Sequence, residues 1–249
     1  MPDDNSLVLE QWPYPIKIQT LGRFRLLINE KVVTFRGKTQ KKPLELLKVL
    51  IAFGGREVNG DKLNDILWPD ADGDAAYDSL KTTLNRLRKL LANKIAITFI
   101  DGKISLNTQL CWVDTWAFEA MFANPARDQR QLEKGLMYYK GEFLPGDTAA
   151  PWVLSMRERL RRKYLQGVVT LGQALENQQQ WENAITVYQN ALQIDEMAEN
   201  IYQGLMRSHL AQGQQAEAAI IYEHCCKMMR LSKNAKPSIQ TENLYAELR

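Results

Sequence analysis

The chain has 249 residues, 45% of them hydrophobic and 24% charged, with 14 glycines and 9 prolines; this excludes a collagen-like or wholly disordered chain and leaves room for two domains. No stretch approaches the roughly 18 apolar residues of a membrane span, and an opening segment carrying Asp3, Asp4 and Glu10 is a poor export signal, so no membrane partner is expected. The formal charge is only +3, but residues 1–110 carry a net +4 and residues 111–249 a net −1.

Two windows lack acids: Lys31 to Leu44, with Lys31, Arg36, Lys38, Lys41 and Lys42, and Ser79 to Ile100, with Lys81, Arg86, Arg88, Lys89 and Lys94. Such a concentration of one sign either solvates a helix face or neutralises phosphates and releases their counterions. The three cysteines, Cys111, Cys225 and Cys226, cannot all pair within one chain and suit reduced thiols in the cytoplasm.

From Ile16 the pattern IKIQTLG, then FRLLINEKVV, predicts a small antiparallel sheet turning at Asn29-Glu30-Lys31. Pro43 sits where a first helical turn tolerates a missing N–H, and LELLKVLIAF runs from it to the stop at Gly54-Gly55. Asn59 is a good N-cap for a second, short helix ending at Trp68-Pro69, with Val58 and Leu63 spaced as a hydrophobic staple.

A third helix is expected from about Ala75 to Leu91, with Tyr77, Leu80, Leu84, Leu87 and Leu91 forming one buried stripe. Ser79, Thr82, Arg86 and Lys89 then lie on the opposite face, with Asn85 on one shoulder and Lys81 and Arg88 nearer the margin. IAITFIDGKISLN alternates about Asp101-Gly102, a hairpin turn signal, so a wing containing Asp101, Gly102 and Lys103 follows the basic helix. Strands, three helices and a closing hairpin are the order of a winged helix, whose last helix enters the DNA major groove. Lys38, Lys41 and Lys42 ahead of the first helix serve either as diffuse phosphate contacts or as solubilising charge.

After Cys111 the chain reads as nearly continuous helix. Leu171, Ala184, Tyr188 and Ala191 are matched 34 residues later by Leu205, Ala218, Tyr222 and Cys225, the period of the tetratricopeptide helix pair. Two units, Lys163 to Gln193 and Glu199 to Leu231, carry corresponding turns at Gln178 to Gln180 and Gln212 to Gln214. Arg127 to Leu144 and Trp152 to Arg162 also read as helices, supplying a divergent first unit or a cap. The fold class is mostly α with a small β component: an N-terminal arm (1–15), a winged helix-turn-helix domain (16–107) and an all-α, tetratricopeptide-like helical repeat domain (108–249).

Other constellations are weaker. Asp70, Asp72, Asp74 and Asp78 alternate like a calcium loop, but glycine falls at the fourth place and Lys81 at the twelfth, so a turn with helix capping by Asp74 is preferred. His224-Cys225-Cys226 is too compact for zinc, and His209 and His224 both lie in the repeats, leaving no Ser-His-Asp or Cys-His candidate. No metal, cofactor or enzymatic activity is expected. The cluster RERLRRK, Arg157 to Lys163, either meets DNA or pairs with acids where the two domains meet. Trp112, Trp116, Trp152, Trp181, Tyr188 and Tyr222 are read as core and seam residues.

Several segments together resemble the Streptomyces antibiotic regulatory proteins, which join an OmpR-type winged helix to a bacterial transcriptional activator domain of tetratricopeptide-like helices. These are LGRFRLLINEKVV, KKPLELLKVLIAF and LNDILWPDADGDAAYDSLKTTLNRLRKLL, then CWVDTWAFEAM, PWVLSMRERLRRKYL, the repeats and the tail KPSIQTENLYAELR. The resemblance implies a transcriptional activator that binds direct repeats in double-stranded promoter DNA and contacts RNA polymerase. By position it also implies base reading by Lys81, Thr82 and Arg86, and phosphate contacts from Trp68, Ser79, Thr83, Asn85 and Arg88. Thr82 and Thr83 replace the larger or apolar residues common there. No P-loop or receiver domain is present in the sequence. The repeat half is expected to carry homodimer, polymerase, small-ligand or protein contacts. The competing reading is a protein-interaction scaffold whose winged helix touches protein only.

Overall fold

The computed structural model describes residues 14–35, 40–123, 128–147, 150–233 and 235–247. Most of the expected arm, and Lys38 with Arg36, therefore lie outside the described residues. The chain divides into two compact units, Met1–Ala120 with Phe143–Arg157, and Met121–Glu142 with Glu158–Arg249.

In the first unit, β1 (Ile16–Gln19), β2 (Arg25–Ile28) and β3 (Lys31–Val32) form an antiparallel meander. Asn29 and Glu30 make its turn at φ 46° and 62°, the left-handed pair of a type I′ hairpin, and Glu30 pairs with Lys17 at 2.6 Å. A fourth strand, β7 (Cys111–Val113), lies parallel to β1, giving the order β3-β2-β1-β7. The strand departs from the expectation of helix after Cys111. Three residues are too few to show a period, and their partner lies some ninety residues upstream.

Immediately after it, Asp114 is buried and clasps the end of β1. One carboxylate oxygen accepts the N–H groups of Thr20 (2.7 Å) and Leu21 (2.9 Å), and the other accepts the Thr20 hydroxyl (2.7 Å) and the Thr115 N–H (2.8 Å). Burial pushes this carboxyl up to about 6 against the pull of those four bonds. The compact unit thus continues past residue 107, where the sequence suggested a boundary.

The helices α1 (Lys41–Ala52), α2 (Gly60–Leu67) and α3 (Gly73–Leu90) follow as expected. Pro43 lies in the first turn of α1, and Gly54 and Gly55 end it at φ 91° and 70°. A Cβ on Gly55 would stand 2.3 Å from the Trp116 ring, so this position needs glycine for space as well as for φ. Asn59 caps α2 by accepting the Asp61 N–H at 2.7 Å. The N-cap of α3 is Asp72, and Asp74 sits in the first turn instead, where its charge faces the positive end of the helix. The wing, β5 (Ile97–Ile100) and β6 (Lys103–Leu106), turns at Asp101 and Gly102 with φ 49° and 73°. β4 (Val58–Asn59) adds to it in the order β4-β6-β5.

α4 (Asp114–Ala123) leads from the first unit into the second. There α5 (Gln129–Tyr138) opens on a capping box of Asp128 and Gln131 and ends before the expected Leu144. α6 (Pro151–Asn177) is one 27-residue helix, merging segments the sequence suggested separately because no breaker lies between Arg162 and Lys163. With α7 (Trp181–Ile194), α8 (Glu199–Ala211) and α9 (Gln215–Lys233) it forms the repeats. The 34-residue period extends to single bonds: the Gln180 N–H donates to the Leu175 carbonyl and the Gln214 N–H to the His209 carbonyl, both at 2.9 Å. Gln179 and Gly213 take the left-handed conformation between the paired helices.

Tyr188, fully buried, fills the seam of the first repeat because Gly172 and Gly204 face its ring; a Cβ there would stand 2.1 and 2.4 Å away. Its hydroxyl donates to Glu176 at 2.7 Å, and Glu176 pairs with Arg207 at 3.1 Å. The helix α10 (Ile239–Ala246) closes the stack through Thr241, which donates to Glu199 at 2.7 Å, and through Tyr245, stacked 3.9 Å from Tyr222. Among the described residues no helix is long and apolar enough to cross a membrane.

Candidate nucleic-acid interface

The buried stripe of α3 is Ala76, Leu80, Thr83, Leu84 and Leu87, continued by Leu91, and the helix packs through it against α1 and α2. At two positions the helix corrects the sequence reading. Tyr77, expected inside, is 41% exposed, and its ring lies 6.0 Å from Phe99 on the wing. Thr83, expected at a phosphate, is 5% exposed: it stands three residues from Leu80 and four from Leu87, on their face of the helix, so its side chain meets the core.

The opposite face presents Thr82, Asn85, Arg86 and Lys89, all exposed, with Ser79 half-buried beside them. The side chains of Arg86 and Lys89 make no hydrogen bond or ion pair with other described residues. Lys81 rests its ammonium 4.2 Å from the Tyr77 ring, a cation–π contact that leaves it at the wing-side margin.

Arg88 is held differently. Its Nε donates to the Ile97 carbonyl at 3.1 Å and its Nη1 to the Asn85 Oδ1 at 3.2 Å, so the guanidinium bridges α3 to the first residue of the wing. The wing tip is held too: the Gly60 N–H donates to the Gly102 carbonyl at 2.8 Å, and Lys103 pairs with Glu57 at 3.5 Å, while Asp101 is exposed. These contacts tie α3 to the start of the wing and the wing tip to the α2 N-terminus.

Lys41 is exposed at the start of α1. Lys42 is engaged: its Nζ donates to the Leu67 carbonyl at 2.8 Å, pairs with Glu45 at 3.1 Å and lies 5.6 Å from the half-buried Trp68 ring. It caps the C-terminus of α2 and sets the Trp68 corner.

Sequence reading missed Asn93 and Lys94 as members of this surface. With Asn85, Arg88, Lys89 and Ala92 they line an open recess of about 610 Å³ at the C-terminal end of α3. The signal was available, since the acid-free window runs on to Ile100. Two members of the second basic cluster are engaged within the protein: Arg157 donates to the Phe143 and Leu144 carbonyls at 2.8 and 2.6 Å, and Arg161 pairs with Asp195 at 2.6 Å within the repeat unit. Among the described residues no group of three or more His, Cys, Asp or Glu is placed to hold a metal.

A three-helix core with a wing, followed in one chain by stacked helix pairs, is an architecture of the winged-helix and helical-repeat class. The family model of the bacterial transcriptional activator domain matches residues 113–249, more than half of the chain, and the chain belongs to that family. The organisation implied by the likeness to the Streptomyces antibiotic regulatory proteins, a winged helix joined to this activator domain, is the organisation of this chain. Among solved structures it is similar to Mycobacterium tuberculosis EmbR in complex with a low-affinity phosphopeptide, with a TM-score of 0.69 and 17% identity over 94% of this chain. It spans 65% of the length of that structure, and at this identity the likeness concerns the fold. No curated protein matches the chain.

Proposed function

We propose that the chain is a sequence-specific, double-stranded DNA-binding transcriptional activator of the cytoplasm. Lys81, Thr82 and Arg86 read bases in the major groove. Ser79, Asn85, Lys89 and Lys41, with Lys94, meet phosphates, Arg88 offers what remains of its guanidinium to one, and the wing lies on the neighbouring backbone. Two copies bind a direct repeat side by side, and the repeat unit carries the contact with RNA polymerase. Binding at the promoter then acts by raising the local concentration of polymerase.

The observation that carries this reading is the outward face of α3. A helix whose apolar stripe is fully used inward leaves a guanidinium, an ammonium and a hydroxyl unpaired on the other side, beside a wing fixed to it by Arg88. Arginine at such a position can make the two bonds to guanine O6 and N7, worth about 1–3 kcal/mol of discrimination.

The test is selection of bound duplexes from a random pool, followed by salt titration of the winning site. A tandem motif is expected, with a log–log salt slope of about −3 to −4 if Lys41, Arg88, Lys89 and Lys94 each neutralise one phosphate. Arg86→Ala should relax one position of the motif, whereas Lys89→Ala should lower affinity for all sequences and reduce the slope by about one. Sequence-blind, salt-insensitive binding would instead support a protein-interaction scaffold.

A further inference from the structure

We infer that the recess between α5, α6 and α7 of the repeat unit is a binding site for a small apolar monocarboxylate, an alkyl or aryl acid. The recess holds about 360 Å³, within the range of small-molecule sites, and Leu136, Val168, Leu171 and Val187 make its lining mainly hydrocarbon. One wall is the stacked pair Tyr139 and Tyr164, with ring centroids 4.4 Å apart and planes at 16°.

The polar groups set the ligand's chemistry. Tyr164 is only 4% exposed as a residue, and its hydroxyl makes no hydrogen bond with a described residue, so the phenol is available to a ligand. Burial pushes its ionisation well above the ordinary phenol range, so at neutral pH it is a donor. Lys140, exposed on the rim, has no ion-pair partner among the described residues, and the side-chain amide of Asn190 makes no hydrogen bond with any of them. The opposing charge on the rim, Glu133, already accepts the Gln129 side-chain amide at 3.1 Å. The recess therefore shows three groups able to donate, phenol, ammonium and amide, around an apolar slot.

A carboxylate satisfies those donors while its hydrocarbon body covers the lining. A dianion would meet Glu133, and an amine would meet Lys140. An extended peptide needs partners for successive backbone amides, and Asn190 is the one side-chain amide of the lining. This site stands apart from the DNA reading, and its test does not use DNA.

The full chain is titrated with 4-phenylbutyrate and, separately, with 4-phenylbutylamine. Calorimetry supplies affinity and stoichiometry, and methyl NMR at Val168, Leu171 and Val187 supplies location. The acid is expected to bind at one site, to shift those methyls, and to bind about tenfold or more tighter than the amine, as suits a hydrogen bond to a charged group. Lys140→Gln should weaken the acid by about tenfold with no change in the thermal midpoint, and Val168→Trp should abolish binding by filling the slot. Equal binding of acid and amine, shifts scattered over the surface, or an unchanged affinity in Lys140→Gln would overturn the assignment. Should Val168→Trp fail to fold, Lys140→Gln and the amine still decide it.

Discussion

Arg88→Lys separates what the charge at the end of α3 does from what its geometry does. In the protein the guanidinium spans two acceptors, the Ile97 carbonyl at 3.1 Å and the Asn85 amide oxygen at 3.2 Å, and so joins the last turn of α3 to the start of the wing. Lysine keeps the positive charge, but its single nitrogen cannot reproduce a planar fork reaching both. A hydrogen bond from a charged donor contributes about 1.5–3 kcal/mol when buried, and Arg88 is half-exposed, so about 1 kcal/mol of stability should be lost. If the wing is then free to shift on the helix, affinity for the selected duplex should fall about three- to tenfold for all sequences alike, since about 1.4 kcal/mol is a factor of ten. The salt slope should not move, because the number of phosphates neutralised is unchanged. Urea unfolding and a DNA titration between 50 and 200 mM salt read both quantities. A slope that drops by about one with the charge retained, or wild-type stability together with wild-type affinity, would refute the bridge.

Gly204→Ala should cost the repeat unit about 2–3 kcal/mol, because its methyl would stand 2.4 Å from the Tyr188 ring, which Gly172 blocks from retreating. In a Tyr188→Leu background that cost should fall by more than half in a double-mutant cycle followed by urea unfolding, and strict additivity would count against the seam. Asp114→Asn should destabilise the first unit by about 2–4 kcal/mol, since an amide nitrogen would face donors that now find an oxygen. Asp114 also carries a pH signature. Its folded-state pKa of about 6 lies above the ordinary 3.8, so its stabilising contribution is complete below about pH 3.8 and lost as pH rises through about 6. Subtracting the unfolding free energies of the Asn variant from those of the wild type between pH 4 and 7 should expose that slope, and a flat difference would contradict it.

What the sequence allowed to be read was local. The helices of the first unit followed from the leucine period, the Asn59 cap and Gly54-Gly55, and both hairpins followed from Asn29-Glu30 and Asp101-Gly102. The repeats were legible because Ala184, Ala191, Ala218 and Cys225 must be small where two helices touch. The face of α3 was legible except at its edges, where the period cannot say which neighbour lies beside a margin. Tyr77 turned out to face Phe99, and Thr83 fell inside between Leu80 and Leu87. Nor could spacing show that Lys42 and Arg88 spend their donors on the Leu67 and Ile97 carbonyls. The recess beside Tyr164 needs residues from three helices at once, so no local pattern announces it.

The same distinction bears on how the winged-helix half is held together. The end of β1 is secured by residues far downstream: Asp114 takes the Thr20 and Leu21 N–H groups, β7 lies along Ile16–Ile18, and the Leu144 N–H donates to the Thr20 carbonyl at 2.8 Å. Arg157 in turn holds the Phe143 and Leu144 carbonyls. A fragment ending at residue 107 keeps α1, α2, α3 and the wing but leaves β1 as an open sheet edge, with Ile16 and Ile18, both essentially fully buried in the intact chain, uncovered on that side. Losing the Asp114 bonds alone removes three hydrogen bonds, about 0.5–1.5 kcal/mol each or more with a charged acceptor. The fragment should therefore unfold at lower urea and lose hydrogen-exchange protection in β1 first, and extension to residue 120 should restore part of both. Equal protection of the Ile16 and Ile18 amides in the fragment and the full chain would show that the meander and the three helices suffice.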